Sequence, residues 1–230
     1  EVDTANTPTY AWGSDSYGSF VDLTDETRIR GSGGFSKWTD EIIANGEGSI
    51  EFWVSITNPT GGASSIYGPA RLATMSDDTS FTTATGSRNF LLGVNEWPAT
   101  DEDGRIRIRW RTQNTGNDGT YGAPLNPLLT AEDKVANSNI QHIVATYNSQ
   151  DGFKLYVNEI AGIFPGAPTV EAPTENAGNL ESWVNTWDLC LGTEIINDNS
   201  EANGAGPLNN GIRVFLGKYY RGTFYNRALT

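Results

Sequence analysis

Residues 105–111 read Arg-Ile-Arg-Ile-Arg-Trp-Arg, with Ile106, Ile108 and Trp110 alternating against Arg105, Arg107, Arg109 and Arg111. A period of two sends successive side chains to opposite faces of a β-strand, so one face here is apolar and the other carries four guanidiniums. Ile50 to Ile56 (Ile-Glu-Phe-Trp-Val-Ser-Ile) repeats the pattern. Ile140 to Tyr147, Phe153 to Val157, Trp187 to Leu191 and Ile212 to Leu216 are apolar runs rich in β-branched and aromatic residues. Gly18 to Leu23, Ala70 to Met75 and Asn89 to Val94 are weaker strand signals. Turn chemistry separates the runs: Asn58-Pro-Thr-Gly-Gly, Asp101-Glu-Asp-Gly, Asn114-Thr-Gly-Asn-Asp-Gly and the stretch from Asn197 to Gly206. Helix signals are nearly absent, the best being one or two turns at Thr130-Ala-Glu-Asp-Lys-Val-Ala, with Thr130 as the cap. About ten strands without helices for parallel crossovers predict an all-β, antiparallel sandwich or barrel.

The rest of the composition excludes more than it names. The chain has 230 residues, 28 acidic and 15 basic, for a formal charge of -13. That balance argues against nucleic acid or an anionic membrane as partner, because phosphate binding needs clustered Lys and Arg. A single cysteine, Cys190, excludes an internal disulfide framework and a Cys-based zinc site, and a single histidine, His142, excludes a multi-His metal centre. No run approaches the length of apolar sequence that a membrane helix needs. Glu1-Val2-Asp3 is acidic where the start of a signal peptide would be basic. Scarce cysteine, abundant Asn, Asp, Thr and Gly, and strong acidity point to a secreted, cell-surface or periplasmic location. One domain is expected over 1–230, with residues 1–9 as an N-terminal arm and residues 162–180, rich in Pro, Ala, Thr and Glu, as a long loop.

Several segments resemble the laminin-G-like (concanavalin A-like) jelly-roll superfamily, in its bacterial extracellular branch. Gly48-Ser-Ile-Glu-Phe-Trp-Val looks like an early strand of that branch. Ile140-Gln-His-Ile-Val-Ala-Thr-Tyr-Asn followed by Phe153-Lys-Leu-Tyr-Val-Asn-Glu is similar to its most recognisable stretch. Asp188-Leu-Cys-Leu-Gly, Phe215-Leu-Gly-Lys-Tyr and Phe224-Tyr-Asn-Arg-Ala-Leu resemble its closing strands, and Arg88-Asn-Phe-Leu-Leu-Gly and Arg107-Ile-Arg-Trp-Arg-Thr fit its middle. The resemblance runs from about residue 10 to the C-terminus and implies a two-sheet jelly roll. There are departures. Ile140 and Gln141 stand where Trp and His are usual, and Glu159 replaces the hairpin Gly. Tyr220 and Arg221 occupy positions where many members carry an Asp-Glu pair, near which relatives often hold calcium.

Candidate chemistry is sparse. Retaining glycoside hydrolases on this fold use a Glu-x-Asp-x-x-Glu pattern to bring two carboxylates together. The sole Glu-x-Asp here is Glu1-Val2-Asp3, with Asn6 where the second Glu belongs. A lyase needs a histidine base, but His142 lies in a strand whose signature belongs to non-catalytic relatives, so it reads as structural. A Gly-x-Ser-x-Gly elbow, a P-loop and a GxGxxG turn are all missing. Ca²⁺ could be held by loop oxygens at Asn117 and Asp118 or at Asp198 and Glu201, or those loops are solvated acidic turns. Asp101-Glu-Asp103-Gly is not an EF-hand, because Thr112 stands where the bidentate Glu belongs.

For a glycan, the candidate platforms are Trp97, Trp183 and Trp187 on rim loops, where a ring could cover the apolar face of a sugar or be buried under a loop. Trp110 shares the face of Ile106 and Ile108 and is expected in the core. Trp53 lies opposite Phe52 and Val54, so either one set points away from the core or both faces are covered. Arg105, Arg107, Arg109 and Arg111 form either an anion-binding strip or a solvent-facing strand paired with acidic neighbours, and the second weighs more. The sequence thus predicts a non-catalytic module that binds a glycan or an extracellular protein. The alternative is a structural spacer packing against neighbouring domains or copies of itself, and a polysaccharide-degrading enzyme is the remote third.

Overall fold

Two antiparallel sheets face each other across one apolar layer. The computed structural model describes residues 11–23, 29–31, 35–57, 70–76, 88–94, 105–115, 128–129, 138–158, 170–171, 178–192 and 215–229. Within them the strands are β1 (Ala11–Asp15), β2 (Gly18–Leu23), β3 (Ile29–Gly31), β4 (Glu47–Ile56), β5 (Ala70–Ser76), β6 (Arg88–Val94), β7 (Ile106–Trp110) and β8 (Leu128–Leu129). β9 (Ile140–Asn148), β10 (Gly152–Asn158), β11 (Val170–Glu171), β12 (Asp188–Leu191) and β13 (Gly217–Tyr225) follow, with one helix, α1 (Ser36–Asn45). One sheet has seven strands in the order β1-β2-β13-β4-β9-β10-β11, and the other has six in the order β3-β12-β5-β6-β7-β8. The expected all-β, two-sheet antiparallel sandwich is what the chain forms.

The alternation in the sequence builds the core. Ile50, Phe52, Val54 and Ile56 of β4 are fully buried on one face, against Leu72 and Met75 of β5, Phe90 and Leu92 of β6, and Ile106, Ile108 and Trp110 of β7. Each such side chain contributes roughly 1.5–3 kcal/mol by leaving water. One end of the layer is aromatic. Phe90 lies 6.2 Å from Trp38, 6.0 Å from Trp110, 6.3 Å from Trp183 and 6.4 Å from Phe224 between ring centroids. These rings tie α1, both sheets and the segment before β12 into one cluster.

Four expectations change. Helix α1 is absent from the sequence reading because it lacks a side-chain N-cap. Its first-turn amides have no Ser, Thr, Asp or Asn to announce it, and Phe35 stands at the cap. The signal lay in spacing: Phe35, Trp38, Thr39, Ile42 and Ile43 fall at intervals of three and four and pack on the core, and Gly46 closes the helix at φ 71°. Phe215 and Leu216 precede a strand rather than belonging to one, and the last strand is β13. Within the supposed loop at 162–180, β11 pairs with β10 through Val170 and Glu171. Finally, β12 begins one residue after Trp187. The helical turn proposed at Thr130 and the arm at 1–9 lie outside the described residues.

β13 sits between β2 and β4, and its first residue is fixed by sterics. Gly217 has φ 151°, and a Cβ there would overlap the backbone oxygen of Ser55. We expect Gly217→Ala to cost about 1–3 kcal/mol through that overlap and the unfavourable φ. A urea melt checks this, and an unchanged midpoint would show that the start of β13 is less constrained. Further along, the register with β4 shifts between Tyr219 and Arg221: Tyr219 pairs with Val54 and Arg221 with Trp53, leaving Tyr220 as an extra residue. Tyr219 points inward, its hydroxyl donating to the Leu72 carbonyl at 2.5 Å. Tyr220 and Arg221 then both face outward, an outcome that simple alternation forbids and a β-bulge allows.

Candidate functional site

The outward face of β4, β9 and β13 carries a cluster of polar and aromatic side chains centred on Glu51. Cross-strand pairing sets it up, because Trp53 lies opposite both His142 and Arg221, and Glu51 lies opposite Val144 and Thr223. Glu51 Oε1 accepts from Trp53 Nε1 at 3.2 Å and sits 2.8 Å from His142 Nε2, while Oε2 accepts the Tyr225 hydroxyl. Burial pushes the Glu51 carboxyl up, but the bonds from Tyr225, His142 and Trp53 outweigh it, and the net shift is downward. The same bond holds the Tyr225 hydroxyl above its ordinary range. His142 is 7% exposed and stacks on Trp53 at 4.2 Å with an 18° tilt between the rings. His142 is thus a packed partner of the indole, as a structural histidine should be.

Beside this cluster lies an open cleft of about 300 Å³. Trp53 and Ile140 form its floor, Tyr220 and Arg221 of the bulge one wall, and Tyr17 with Gly18 and Ser19 the turn that closes it. Asp15 organises that wall. Its carboxylate accepts the Tyr220 hydroxyl at 2.7 Å and the Tyr17 amide at 2.9 Å, and Lys218 Nζ lies 3.8 Å away. The bonds from Tyr220 and the Tyr17 amide, together with Lys218, lower the Asp15 carboxyl; burial and Asp15 raise the Tyr220 phenol. The ring of Tyr220 meets Phe20 edge-on at 5.6 Å. Tyr17 is 67% exposed, so its ring is open to a ligand.

None of the described residues chosen from sequence lines this cleft. Trp97, Asn117, Asp118, Asp198 and Glu201 are outside the described residues. Among the described residues no group of three or more His, Cys, Asp and Glu gathers as metal ligands. At the positions where the resemblance implies an acidic pair near calcium, a phenol and a guanidinium stand instead, and they do not fit a hard cation. Trp183 is 4% exposed and donates through Nε1 to the Arg111 carbonyl at 2.6 Å; it is a core ring, not a rim platform. Trp187 is half-buried with the Arg111 guanidinium 5.3 Å from its centroid. Burial alone lowers the Arg111 pKa.

The arginine strand also needs correction. Ile106, Ile108 and Trp110 are core, as alternation requires, but Arg107 is only 1% exposed, and Arg105 and Arg109 are half-buried. The outward face of the six-stranded sheet is covered there, since Arg71, Thr74 and Leu91 on the same side are buried too. On β6, Arg107 lies opposite Gly93 and Arg109 opposite Leu91. Neither a solvent-facing ladder nor an open anion strip fits that burial.

The cleft residues escaped the sequence reading in different degrees. Trp53 was ambiguous because both faces of its strand carry large apolar groups. Tyr17 sits in a weak segment. Tyr220 and Arg221 were visible only as a departure from the acidic pair of the resembled family, and that departure was the usable signal.

By sequence the chain matches no family profile and no curated protein. Among solved structures it is similar to the CBM40 of the Ruminococcus gnavus IT-sialidase (15% identity, 83% of this chain and 82% of that one, TM-score 0.49). It is also similar to domain 4 of a GH43 extracellular arabinanase from Geobacillus stearothermophilus, solved with arabinotriose (14% identity, 100% and 83%, TM-score 0.47). A third is the receptor binding domain of botulinum neurotoxin C/D mosaic serotype (13% identity, 100% and 44%, TM-score 0.50). At such identities the likeness is one of fold, and the chain spans 44% of the length of the neurotoxin domain.

Proposed function

We propose that this chain is a non-catalytic, extracellular binding module that docks a saccharide in the cleft on its seven-stranded sheet. The observation that carries the reading is the cleft lining, in which an indole, two phenols and a guanidinium converge on about 300 Å³ of open space. A pyranose presents apolar C–H faces to a ring and hydroxyls to polar neighbours, and a shallow pocket of this size holds one or two such units. Trp53 is preorganised for the task, because His142 covers one side of its ring and Glu51 ties down its N–H. Glu51 supports binding rather than catalysis, since both of its oxygens are engaged and it does not line the cleft. The arabinotriose of the arabinanase domain belongs to that domain. Calcium at Asn117 and Asp118, or at Asp198 and Glu201, stays a proposal beside this one.

Trp53→Ala removes the floor. We expect saccharide affinity in calorimetric titration to fall at least about tenfold, because burying one such ring is worth roughly 1.5–3 kcal/mol and about 1.4 kcal/mol is tenfold. Unchanged affinity in the variant would move the site away from this cleft. A second reading, contact with another protein along the sheet edge, is favoured by one feature. Trp12, on the terminal strand β1, is 75% exposed. If that reading holds, sedimentation shows self-association that Trp12→Ala removes; a monomer at all concentrations speaks for the saccharide alone.

A further inference from the structure

We infer that the saccharide taken by this cleft is acidic, a carboxylated sugar of the uronate type. The inference rests on the saccharide-binding reading above and names its ligand class. Of the residues lining the cleft, Arg221 alone carries a charge, in a chain whose formal charge is -13. A cleft meant for a neutral sugar has no need of an unmatched cation in so acidic a protein.

The guanidinium is presented for such use. Its Nε donates to Thr223 Oγ1 at 3.2 Å, which fixes the plane of the fork. Its terminal nitrogens make no hydrogen bond or ion pair among the described residues, and the side chain is exposed. The acids that face the neighbouring Tyr220 are Asp15 and Asp22. Asp15 accepts the Tyr220 hydroxyl and lies 3.8 Å from Lys218, and Asp22 is the register partner of Lys218. Lys218 is thus the cation paired with Asp15, and among the described residues Arg221 forms no ion pair with either acid.

Geometry makes the pair specific. Arg221 and Trp53 are cross-strand partners on β13 and β4, so the fork and the indole stand side by side on one face. A hexuronate carries its carboxylate on the ring carbon next to the ring oxygen, at the edge of the apolar face that stacks on an aromatic ring. The planar fork matches both carboxylate oxygens at once, which an ammonium does not.

The test titrates two panels of trisaccharides at low salt by calorimetry. One holds galacturonate, glucuronate, mannuronate and guluronate trimers with their methyl esters, and the other holds neutral xylose, arabinose and glucose trimers. We expect at least one uronate to bind about tenfold or more tightly than its own methyl ester, with the advantage shrinking as salt rises. Arg221→Gln removes the difference between acid and ester, while Arg221→Lys restores part of it. If acid and ester bind equally, or only neutral trimers bind, and Trp53→Ala abolishes that binding, the acidic inference falls and the saccharide reading stands. If no member of either panel binds, both fall.

Discussion

Phe90→Ala is expected to remove about 3–5 kcal/mol of stability, out of the roughly 5–15 kcal/mol that hold such a domain folded. Phe90 is fully buried, and its ring stands among Trp38, Trp110, Trp183 and Phe224. Those partners come from α1, β7, the segment before β12, and β13, so collapse around the void would have to move several elements at once. Rigid surroundings keep the cavity open, and the cost sits at the upper end of the range for such truncations. The measurement is a urea titration of both proteins, with the midpoint falling and the slope unchanged. Phe90→Leu fills most of the space and should cost well under half as much. A loss under about 1 kcal/mol for the alanine variant would mean that the sheets are held together elsewhere.

The second large effect is at Glu51 and depends on pH. Its carboxyl titrates below its ordinary value of 4.5 in the folded protein, because the bonds from Tyr225, His142 and Trp53 outweigh burial. A depressed carboxylate binds protons more readily when unfolded. Its contribution is therefore fully present above about pH 4.5 and is lost as pH falls through the lower folded value. Glu51→Gln keeps one acceptor and turns an N–H₂ toward groups that donate, so at pH 7 it should cost about 2 kcal/mol. The difference between parent and variant should then narrow steadily from pH 5 downward. Stability measured by urea at several pH values reads this directly. Parallel curves for the two proteins would show that Glu51 is not a coupled acid. Saccharide affinity should drop in the same variant, since Trp53 loses its tie.

How far the sequence carried the reading depends on what each element is made of. β7, whose two faces differ, was legible to within one residue at each end, because period two is a local property, while β4 was legible as a strand but begins three residues before Ile50. Helix α1 was not, since its cap is a phenylalanine and its periodicity spans only ten residues. The arginines of β7 were placed on the correct side of their strand and misjudged in environment. Alternation says which way Arg107 points and nothing about what covers it. The cleft was harder still. Trp53 comes from β4, Arg221 from β13 and Tyr17 from the turn before β2, and only strand order brings them together. No local pattern encodes that order. The resemblance supplied the fold, and within it the mismatch at Tyr220 and Arg221 marked the place where this chain carries its cleft.

The extra residue in β13 has a consequence for how such a module changes over time. Tyr219 and Arg221 already satisfy consecutive partners on β4, so the ladder is complete without Tyr220. The ring that walls the cleft is an insertion into a finished strand. Losing it would straighten the strand and leave the hydrophobic layer untouched, and other side chains could occupy the same slot without renegotiating the interior. The lining of the cleft and the foldedness of the sandwich are thus written into separable letters of one strand, and a lineage can rewrite the first while keeping the second.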